Sequence, residues 1–336
     1  MATQKAVSPG PNTLGHGQNL VMQLVARVAS SQLATLWIFL GVIVVVIYLI
    51  QPLSLDPDNI SVMTRGFSFA AFVALGQMCA LILGSVDLSV GAIAGFTGIV
   101  AAVLMPSTHI DPYLSILIGI VLGTVLGLLN GLLIARLGLN AFITTLATQF
   151  VLTGGILVVT QGKPIPYVPA SVTWLGQGSI GPVPITVIVF LVAAAILWYV
   201  LRRTRFGRHV FAVGGNPEAA KLVGINVQRV HIIIMMVSGT LAAIAGVLMV
   251  CRLGSGQPTV GQTWVLPSFA APILGGTSMS GGVGSVVGTV IGALIMGELQ
   301  QGVVMVGLSV YWQEVVVGGV LLLAIILDRV RTRRRG

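Results

Sequence analysis

The polar residues of this sequence that could contact a solute or an ion lie inside long apolar runs, and Asp87 is the clearest of them. It belongs to Gly84-Ser85-Val86-Asp87-Leu88-Ser89-Val90-Gly91, a stretch that interrupts two apolar segments. A carboxylate at the centre of a bilayer costs about 3 kcal/mol on insertion scales, so its position requires an explanation. Asp87 and Ser89 could contact a transported solute or ion. Alternatively, Asp87 caps the next helix by accepting from free backbone N–H groups, which is the interpretation we favour.

Further polar residues in apolar runs are candidates for lining a translocation path. They are Asn130, Thr144, Thr145, Gln149, Gln300, Gln301 and Gln313. Amide and hydroxyl groups at membrane depth either meet water and solute or form hydrogen bonds between helices. For any one of these side chains, an interhelical hydrogen bond is the simpler interpretation.

No arrangement of residues in the sequence predicts catalysis, a metal site or a cofactor. The histidines are scattered, and no zinc-protease, nucleophile-elbow or phosphate-loop motif occurs. Cys79 and Cys251 both lie in apolar runs and are interpreted as packing residues. We therefore expect a protein that is not an enzyme and that takes its energy from another chain or from a gradient.

A polar block at 202–229 separates two groups of apolar runs. It holds six of the 17 basic residues of the chain and one acid, Glu218. Within it, Asn216 suits an N-cap, Pro217 the first helical position and Gly224 a left-handed helix end. The block predicts a helix of about two turns that lies outside the bilayer.

The composition places the chain in a membrane. Of its 336 residues, 56% are hydrophobic and 7% are charged, and the mean hydropathy is +1.02. So little charge could not cover the surface of a soluble protein of this size. The formal charge of +9 comes from basic residues beside apolar spans, where they meet anionic headgroups. We therefore expect the lipid bilayer as a partner, and no nucleic acid.

The apolar runs predict an all-α polytopic membrane protein with about ten transmembrane helices. The spans are expected at 33–50, 60–83, 92–105, 113–135, 141–160, 185–201, 231–250, 265–274, 285–298 and 310–327. They form a transmembrane domain at 33–327, between an N-terminal segment at 1–32 and a basic tail at 328–336. This arrangement puts 14 of the 17 basic residues on one side, so both termini and the segment 202–230 should be cytoplasmic.

Two rows of glycines spaced four residues apart predict helix faces without side chains. The rows are Gly119, Gly123, Gly127 and Gly131, and later Gly284, Gly288 and Gly292. Such faces let a neighbouring backbone approach closely. Tight helix packing is the favoured interpretation, and a solute groove is the alternative.

The sequence also contains an internal repeat. Residues 82–105 align without gaps with residues 273–296, with seven identities in 24 positions. In both copies a Gly/Ser-rich break interrupts apolar sequence. Unwound backbone at membrane depth is tolerated where protein or a cavity satisfies its polar groups. We predict a parallel repeat with broken helices.

Several motifs resemble the permease subunits of ribose-type ABC importers, within the branched-chain amino acid/sugar permease superfamily. They are Asp87-Leu88-Ser89-Val90-Gly91, Arg205-Phe206-Gly207-Arg208 with Asn216-Pro217-Glu218-Ala219-Ala220, Gly275-Gly276-Thr277-Ser278, and Tyr311-Trp312-Gln313. The resemblance covers residues 35–328. It implies that partner ABC ATPase subunits hydrolyse ATP, that a periplasmic or extracellular sugar-binding protein delivers the solute, and that a second permease subunit completes a homo- or heterodimer.

The resemblance also implies that the helix at 216–224 is the coupling helix, which enters a groove on the ATPase. Its coupling residues would be Asn216, Pro217, Glu218, Ala219, Ala220 and Gly224, whose spacing is similar to the importer EAA pattern. The small side chains of Ala219 and Ala220 suit a helix that enters a groove.

One departure from the family pattern leaves the identity of the sugar open. Where many relatives carry a Glu-Leu-Asp-like sequence before the Gly-Gly-Thr-Ser run, this chain has Trp264-Val265-Leu266-Pro267. Both acids are absent. We therefore predict a monosaccharide without naming it.

The prediction is thus a permease subunit that imports a monosaccharide across a bacterial inner membrane by alternating access. One alternative is an ABC permease for another small solute, such as a nucleoside or a branched-chain amino acid. Another is an ion-coupled secondary transporter with Asp87 as its ion or proton site. A membrane scaffold that transports nothing would leave the polar breaks unexplained.

Overall fold

A computed structural model describes residues 32–107 and 110–333 of the chain. In this part the helices are α1 (Gln32–Ile50), α2 (Pro57–Ile82), α3 (Val90–Ser107), α4 (Pro112–Ala135), α5 (Ala141–Thr160), α6 (Ala170–Gln177), α7 (Ile185–Arg203), α8 (Arg205–Gly215), α9 (Pro217–Leu222), α10 (Val227–Leu253), α11 (Val265–Leu274), α12 (Val286–Met305) and α13 (Trp312–Arg333). A 3-10 helix covers Pro52–Leu55, and strands β1 (Ser179–Ile180) and β2 (Val183–Pro184) pair antiparallel. Positions 1–31 of the predicted N-terminal segment and 334–336 of the predicted tail lie outside the described residues.

The helices confirm the prediction of an all-α polytopic membrane protein. Within the described ranges, seven helices are long and apolar enough to cross a bilayer, namely α1, α2, α4, α5, α7, α10 and α12. Three shorter apolar helices, Val90–Met105, Val265–Leu274 and Trp312–Ile326, bring the total to the ten expected from the sequence. Boundaries differ most in α12, which continues to Met305 instead of ending at 298.

Helix starts follow the capping residues in the sequence. Side chains that accept a backbone N–H from the first turn begin α2, α4, α5, α8, α9, α10 and α12, through Asp56, Asp111, Asn140, Thr204, Asn216, Asn226 and Ser285. Each cap satisfies a donor that the helix itself cannot. The apolar runs therefore become separate helices at the positions where these polar residues stand.

Helix α10 lies at the centre of the bundle, against α2, α3 and α4. The core around these helices is apolar and includes aromatic pairs. The rings of Phe72 and Phe190 meet edge-on at 5.4 Å, and those of Phe69 and Trp264 stack at 6.3 Å. On the outer helices large apolar side chains are exposed, with Val158 on α5 80% exposed. Such a surface suits lipid or another apolar partner.

Both glycine rows lie where helix backbones touch. A Cβ atom on Gly127 would overlap the carbonyl of Met235, and one on Gly123 would overlap the side chain of Ala243, so α4 lies directly against α10. Gly119 and Gly131 face Val247 and Ile232 on the same helix.

In the second row, Gly288 and Gly292 meet the carbonyls of Gly275 and Ala271, while Gly284 meets the side chain of Ile82. This is the geometry that tight packing requires.

The two copies of the predicted repeat meet at their breaks. Helices α2 and α11 end at Ile82 and Leu274, and α3 and α12 begin after the breaks. The N–H of Gly282 donates to the carbonyl of Ile82 at 2.8 Å, so the breaks touch. Each copy enters this contact at a helix end and leaves it at a helix start, so both have the broken-helix form that the sequence predicted. The second break is longer, and α12 begins at Val286, five residues after the start that the ungapped alignment with Val90 implies.

The stretch 254–264, expected to be a loop, instead runs alongside α3. A Cβ on Gly95 would press on the carbonyl of Val260, and one on Gly91 would overlap the carbonyl of Gly261. Because these positions of α3 carry no side chain, an irregular backbone fits against the helix. Together with α11, this stretch makes an eighth span that is helical in its second half.

The bundle has a basic end, which we define by α8 and α9. The sequence predicted the helix after Asn216 but not α8, which Thr204 begins by accepting from the N–H of Gly207 at 3.2 Å. At the opposite end, the predicted loop 161–184 contains α6 and the β1–β2 hairpin. Trp174 of α6 donates to the hydroxyl of Tyr113 at 3.1 Å, which fixes this short helix to the start of α4.

Candidate functional site

Asp87 is fully enclosed at the first break, with 1% of its surface exposed. Its Oδ1 accepts the backbone N–H of Ser89 at 3.0 Å and the hydroxyl of the same residue at 2.6 Å. The first bond is the kind that the capping hypothesis requires. Its Oδ2 accepts the hydroxyl of Ser238 on α10 at 2.8 Å. The side chain therefore both orders the start of α3 and ties the break to the central helix.

The network continues from Ser89 into two further helices. The amide of Asn130 on α4 donates to the Ser89 hydroxyl at 2.9 Å, and Thr148 on α5 donates to the Asn130 carbonyl oxygen at 2.7 Å. Thr145 of α5 accepts the N–H of Leu88 at 3.1 Å. A chain of hydrogen bonds thus joins α10, the first break, α4 and α5. Every donor to Asp87 is a neutral group, so nothing in the network pairs the carboxyl with a cation.

Between α4 and α5 the network borders an open groove of about 560 Å³. Four polar residues line it, Asn130, Asn140, Thr144 and Thr148, among apolar side chains such as Leu126. A cleft that is mostly apolar, with a few convergent polar groups, is the usual form of a small-molecule site. The structure therefore brings Asn130 and Thr144 to one groove, with Asp87 and Ser89 directly behind it.

The predicted glutamines are not part of this arrangement. Gln149 is half-buried on α5 but does not line the groove. Gln313 donates to the backbone carbonyl of Gln300 at 2.8 Å, where α12 and α13 connect. Within the described residues, neither Gln300 nor Gln313 forms a hydrogen bond with the Asp87 network. The bond from Gln313 holds α12 and α13 together, which is the simpler of the two interpretations of this side chain.

At the basic end, α9 has the capped form that the sequence predicted. Asn216 accepts the N–H of Ala219 at 3.0 Å, Glu218 pairs with Lys221 at 2.8 Å, and Gly224 has a φ of 82°. The expectation that both Ala219 and Ala220 face a groove on a partner fails for Ala220. Ala220 is buried against this chain, whereas Ala219 is exposed. A groove on a partner would therefore not receive Ala220.

The tip of α9 carries apolar side chains instead. Leu222 is 89% exposed and Val223 is 76% exposed, outside the long apolar spans. Two adjacent apolar residues at the tip of a polar block suit an anchor for another protein.

Helix α8 connects this tip to both breaks. A Cβ on Gly214 would overlap the carbonyl of Ile82 and would also press on the backbone nitrogen of Gly282. A Cβ on Gly282 would in turn lie 2.9 Å from the Cα of Gly215. The last turn of α8 thus rests on the ends of α2 and of the second break at once. A displacement of α8 and α9 must therefore displace both breaks, since the contacts are between backbones.

The sequence of this chain matches a family model over residues 59–325, which is most of its length. That family is described as the branched-chain amino acid transport system / permease component. The chain belongs to this permease family. Its transmembrane part is therefore a transport permease and not a catalytic domain.

Named members of the permease family cover nearly the whole chain. The ribose import permease protein of Bacillus subtilis is 42% identical over 295 residues, which are 87% of this chain and 91% of that protein. The ribose import permease protein of Escherichia coli K12 is 36% identical over 298 residues, 87% and 92% of the two chains. The D-allose transport system permease protein of Escherichia coli K12 is 34% identical, over 82% and 84%. No solved structure matches this chain.

Several residues of the permease were missed from the sequence. Ser238 and Thr148 complete the polar network, and Leu222 and Val223 form the exposed tip. Ser238 is a single hydroxyl in a long apolar run, and such residues usually bond within their own helix. Thr148 gave a clearer signal, because it follows Thr144 by one helical turn and so shares its face.

Proposed function

We propose that this permease is the membrane-spanning subunit of an ABC importer that carries a monosaccharide across a bacterial inner membrane. The observation that carries the proposal is the similarity over most of the chain to permeases named for ribose, L-arabinose, D-allose and xylose. The permease itself does not hydrolyse ATP. Partner ATPase subunits supply the energy, a sugar-binding protein outside the membrane supplies the solute, and a second permease subunit completes the path.

The distribution of charge supports an inside position for the basic end and for both termini. Of the 17 basic residues, 14 fall on that side in the ten-span arrangement. Lys and Arg collect on the cytoplasmic side of membrane proteins. The ATPase would then meet α9 in the cytoplasm, and the binding protein would meet the end that carries α6.

The contacts of α8 support a mechanism for coupling. In this mechanism, ATP-driven closure of the partner moves α9, and the backbone contacts of Gly214 pass the displacement to both breaks. The Asp87 network connects the first break to α10 and to α4 and α5, the two helices that border the groove. Opening and closing of the groove would follow from packed elements that shift together.

The permease should be tested first by uptake and co-purification. Cells with and without the chain are given labelled D-ribose, L-arabinose, D-allose, D-xylose and leucine, and the tagged chain is purified from its native host. We expect loss of uptake of one sugar, unchanged leucine uptake, and an ATPase in the purified complex. Uptake that persists without ATP and stops when the ion gradient collapses would instead favour a secondary transporter with Asp87 as its ion site.

The coupling contact has its own test. The double variant Leu222→Ser with Val223→Ser should insert into the membrane normally, because both side chains are largely exposed. It should lose ATPase co-purification and uptake together. The matched control is Leu308→Ser with Val310→Ser, two exposed apolar residues at the opposite end. Equal loss in both variants would mean that α9 is not the coupling element.

A further inference from the structure

The irregular half of the eighth span runs through the membrane beside a regular helix. Gly256 packs against Ala102 and Ile99 of α3, while Gly261 packs against Gly91 near the start of the same helix. Between Ala102 and Gly91, α3 rises about 16 Å, or half the thickness of a bilayer core. The stretch 257–263 therefore lies at membrane depth without forming a helix.

The exposed side chains of this stretch are polar. Thr259, Gln262 and Thr263 are exposed, while the carbonyls of Val260 and Gly261 lie against α3. Within the described part of the chain, these three polar side chains make no hydrogen bond. One side of the stretch is thus packed on a helix, and the other presents hydroxyl and amide groups.

The backbone of this stretch also has polar groups without partners in the described residues. The N–H groups of Thr259, Gly261 and Thr263 have no hydrogen-bond acceptor among the described residues. In hydrocarbon, each unsatisfied backbone group costs several kcal/mol, and irregular backbone is stable there only when it is enclosed in protein or lines a water-filled cavity. Because Thr259, Gln262 and Thr263 are exposed, this chain does not enclose that side of the stretch.

We propose that residues 257–263 form a water-lined wall of the translocation path and hydrogen-bond the solute as it passes. The inference rests on the proposed transport function and adds the segment that meets the solute. The wall carries donors and acceptors but no charge: its exposed side chains are two threonines and a glutamine. Such a surface suits an uncharged, hydroxyl-rich molecule, whose hydroxyls can replace water one bond at a time.

Water access at this wall can be measured without knowing the solute. In a Cys79→Ala, Cys251→Ala background, Gln262→Cys and Thr263→Cys are treated in whole cells with a membrane-impermeant maleimide. The control is Val121→Cys, which is 52% exposed on the far side of α4. Its neighbours Gly119 and Gly123 lie against Ala101 and Ile93 of α3, so its depth matches that of the wall.

We expect both wall positions to label at least about tenfold faster than Val121→Cys, since thiolate formation requires water. Labelling as slow as the control would overturn the proposal and would mean that lipid or a second permease subunit covers the stretch.

Contact with the solute is tested by uptake of D-ribose, L-arabinose, D-allose and D-xylose. Gln262→Leu with Thr263→Val should lower the maximal uptake rate about tenfold. The solute would then give up hydrogen bonds to water without gaining replacements at the wall. Co-purification of the ATPase should not change. Unchanged uptake would overturn the proposed contact. If the unaltered chain imports none of the four sugars and the wall still labels quickly, monosaccharide import fails and the water-lined wall stands.

Discussion

The two breaks of the repeat share a turn but differ in what holds them. In the first, Oδ1 of Asp87 accepts the N–H of Ser89 at 3.0 Å, and in the second, Oγ of Ser278 accepts the N–H of Ser280 at 3.2 Å. These positions correspond in the aligned copies. Of these two residues, Asp87 also bonds to another helix, because it accepts the hydroxyl of Ser238 on α10. The same local turn is thus bonded through its side chain to the central helix in one copy and not in the other.

This difference indicates which break can move. The first is bonded to α4, α5 and α10, so its displacement takes three helices with it. In the second, the bond that reaches another helix is made by the backbone, from the N–H of Gly282 to the carbonyl of Ile82. Loops with few buried contacts open at lower free energy than networked ones. We infer that the second break yields when α8 moves, and that the first transmits the movement.

The largest effect is expected at Gly214, because it contacts both breaks. In Gly214→Val the new side chain would overlap the carbonyl of Ile82 and press on Gly282. Overpacking between backbones that cannot rotate away should cost about 3 kcal/mol or more. Folded protein, measured as the monodisperse fraction on size exclusion in detergent, should fall sharply, and uptake with it.

Gly215→Ala is the control for this variant. The adjacent glycine has open space where a Cβ would stand, and its φ is not left-handed. Its folded yield and uptake should equal those of the unaltered chain. If both variants behave alike, the contact of α8 with the breaks does not exist in the membrane.

The second-largest effect is expected at Asp87, in the first break. Asp87→Leu removes the acceptor for Ser89 and Ser238 and leaves their hydroxyls buried, which should cost about 1–3 kcal/mol of unfolding free energy. Asp87→Asn keeps one carbonyl oxygen and should cost less. The measurement is reversible unfolding in mixed micelles, followed by uptake. Asp87→Asn that folds normally but transports nothing would show that the charge itself is required, as in an ion site.

Much of this fold was predictable because membrane spans follow from apolar runs. Ten spans, the breaks and the capped helix after Asn216 came from residue type and spacing. Which polar residues meet each other did not, because Asp87 and Ser238 are 151 positions apart. The burial of Ala220 was missed for a similar reason: a helix of six residues has no periodicity that fixes its inner face.

The irregular half of the eighth span was also out of reach of the sequence. A Gly- and Thr-rich stretch predicts a loop, and loops normally lie at the surface. Its position beside α3 depends on Gly91 and Gly95, more than 150 residues earlier. Gly91 and Gly95 are four residues apart and so predict a bare helix face, but this spacing does not indicate which segment packs against it.

A small gain in stability is expected in the second break at Thr277. Its hydroxyl is buried and has no hydrogen-bond partner among the described residues. Thr277→Val keeps the shape and removes the unpaired group, so the unfolding free energy should stay equal or rise by up to about 1 kcal/mol. The same micelle titration measures it, with Thr145→Val as the comparison, since Thr145 bonds Leu88 in the first break. A clear loss in Thr277→Val would contradict the view that this break is loosely held.

The smallest effect belongs to Ser278, the counterpart of Asp87. Its hydroxyl accepts one backbone N–H within its own turn and touches no other helix. Ser278→Ala should therefore change the unfolding free energy by no more than about 0.5 kcal/mol, as for a substitution away from any network. Asp87→Ala, made in parallel, should cost several times more, although both residues occupy the same position of the repeat. Equal losses in the two variants would mean that both breaks are held equally firmly, and the inference that the second one yields first would then fail.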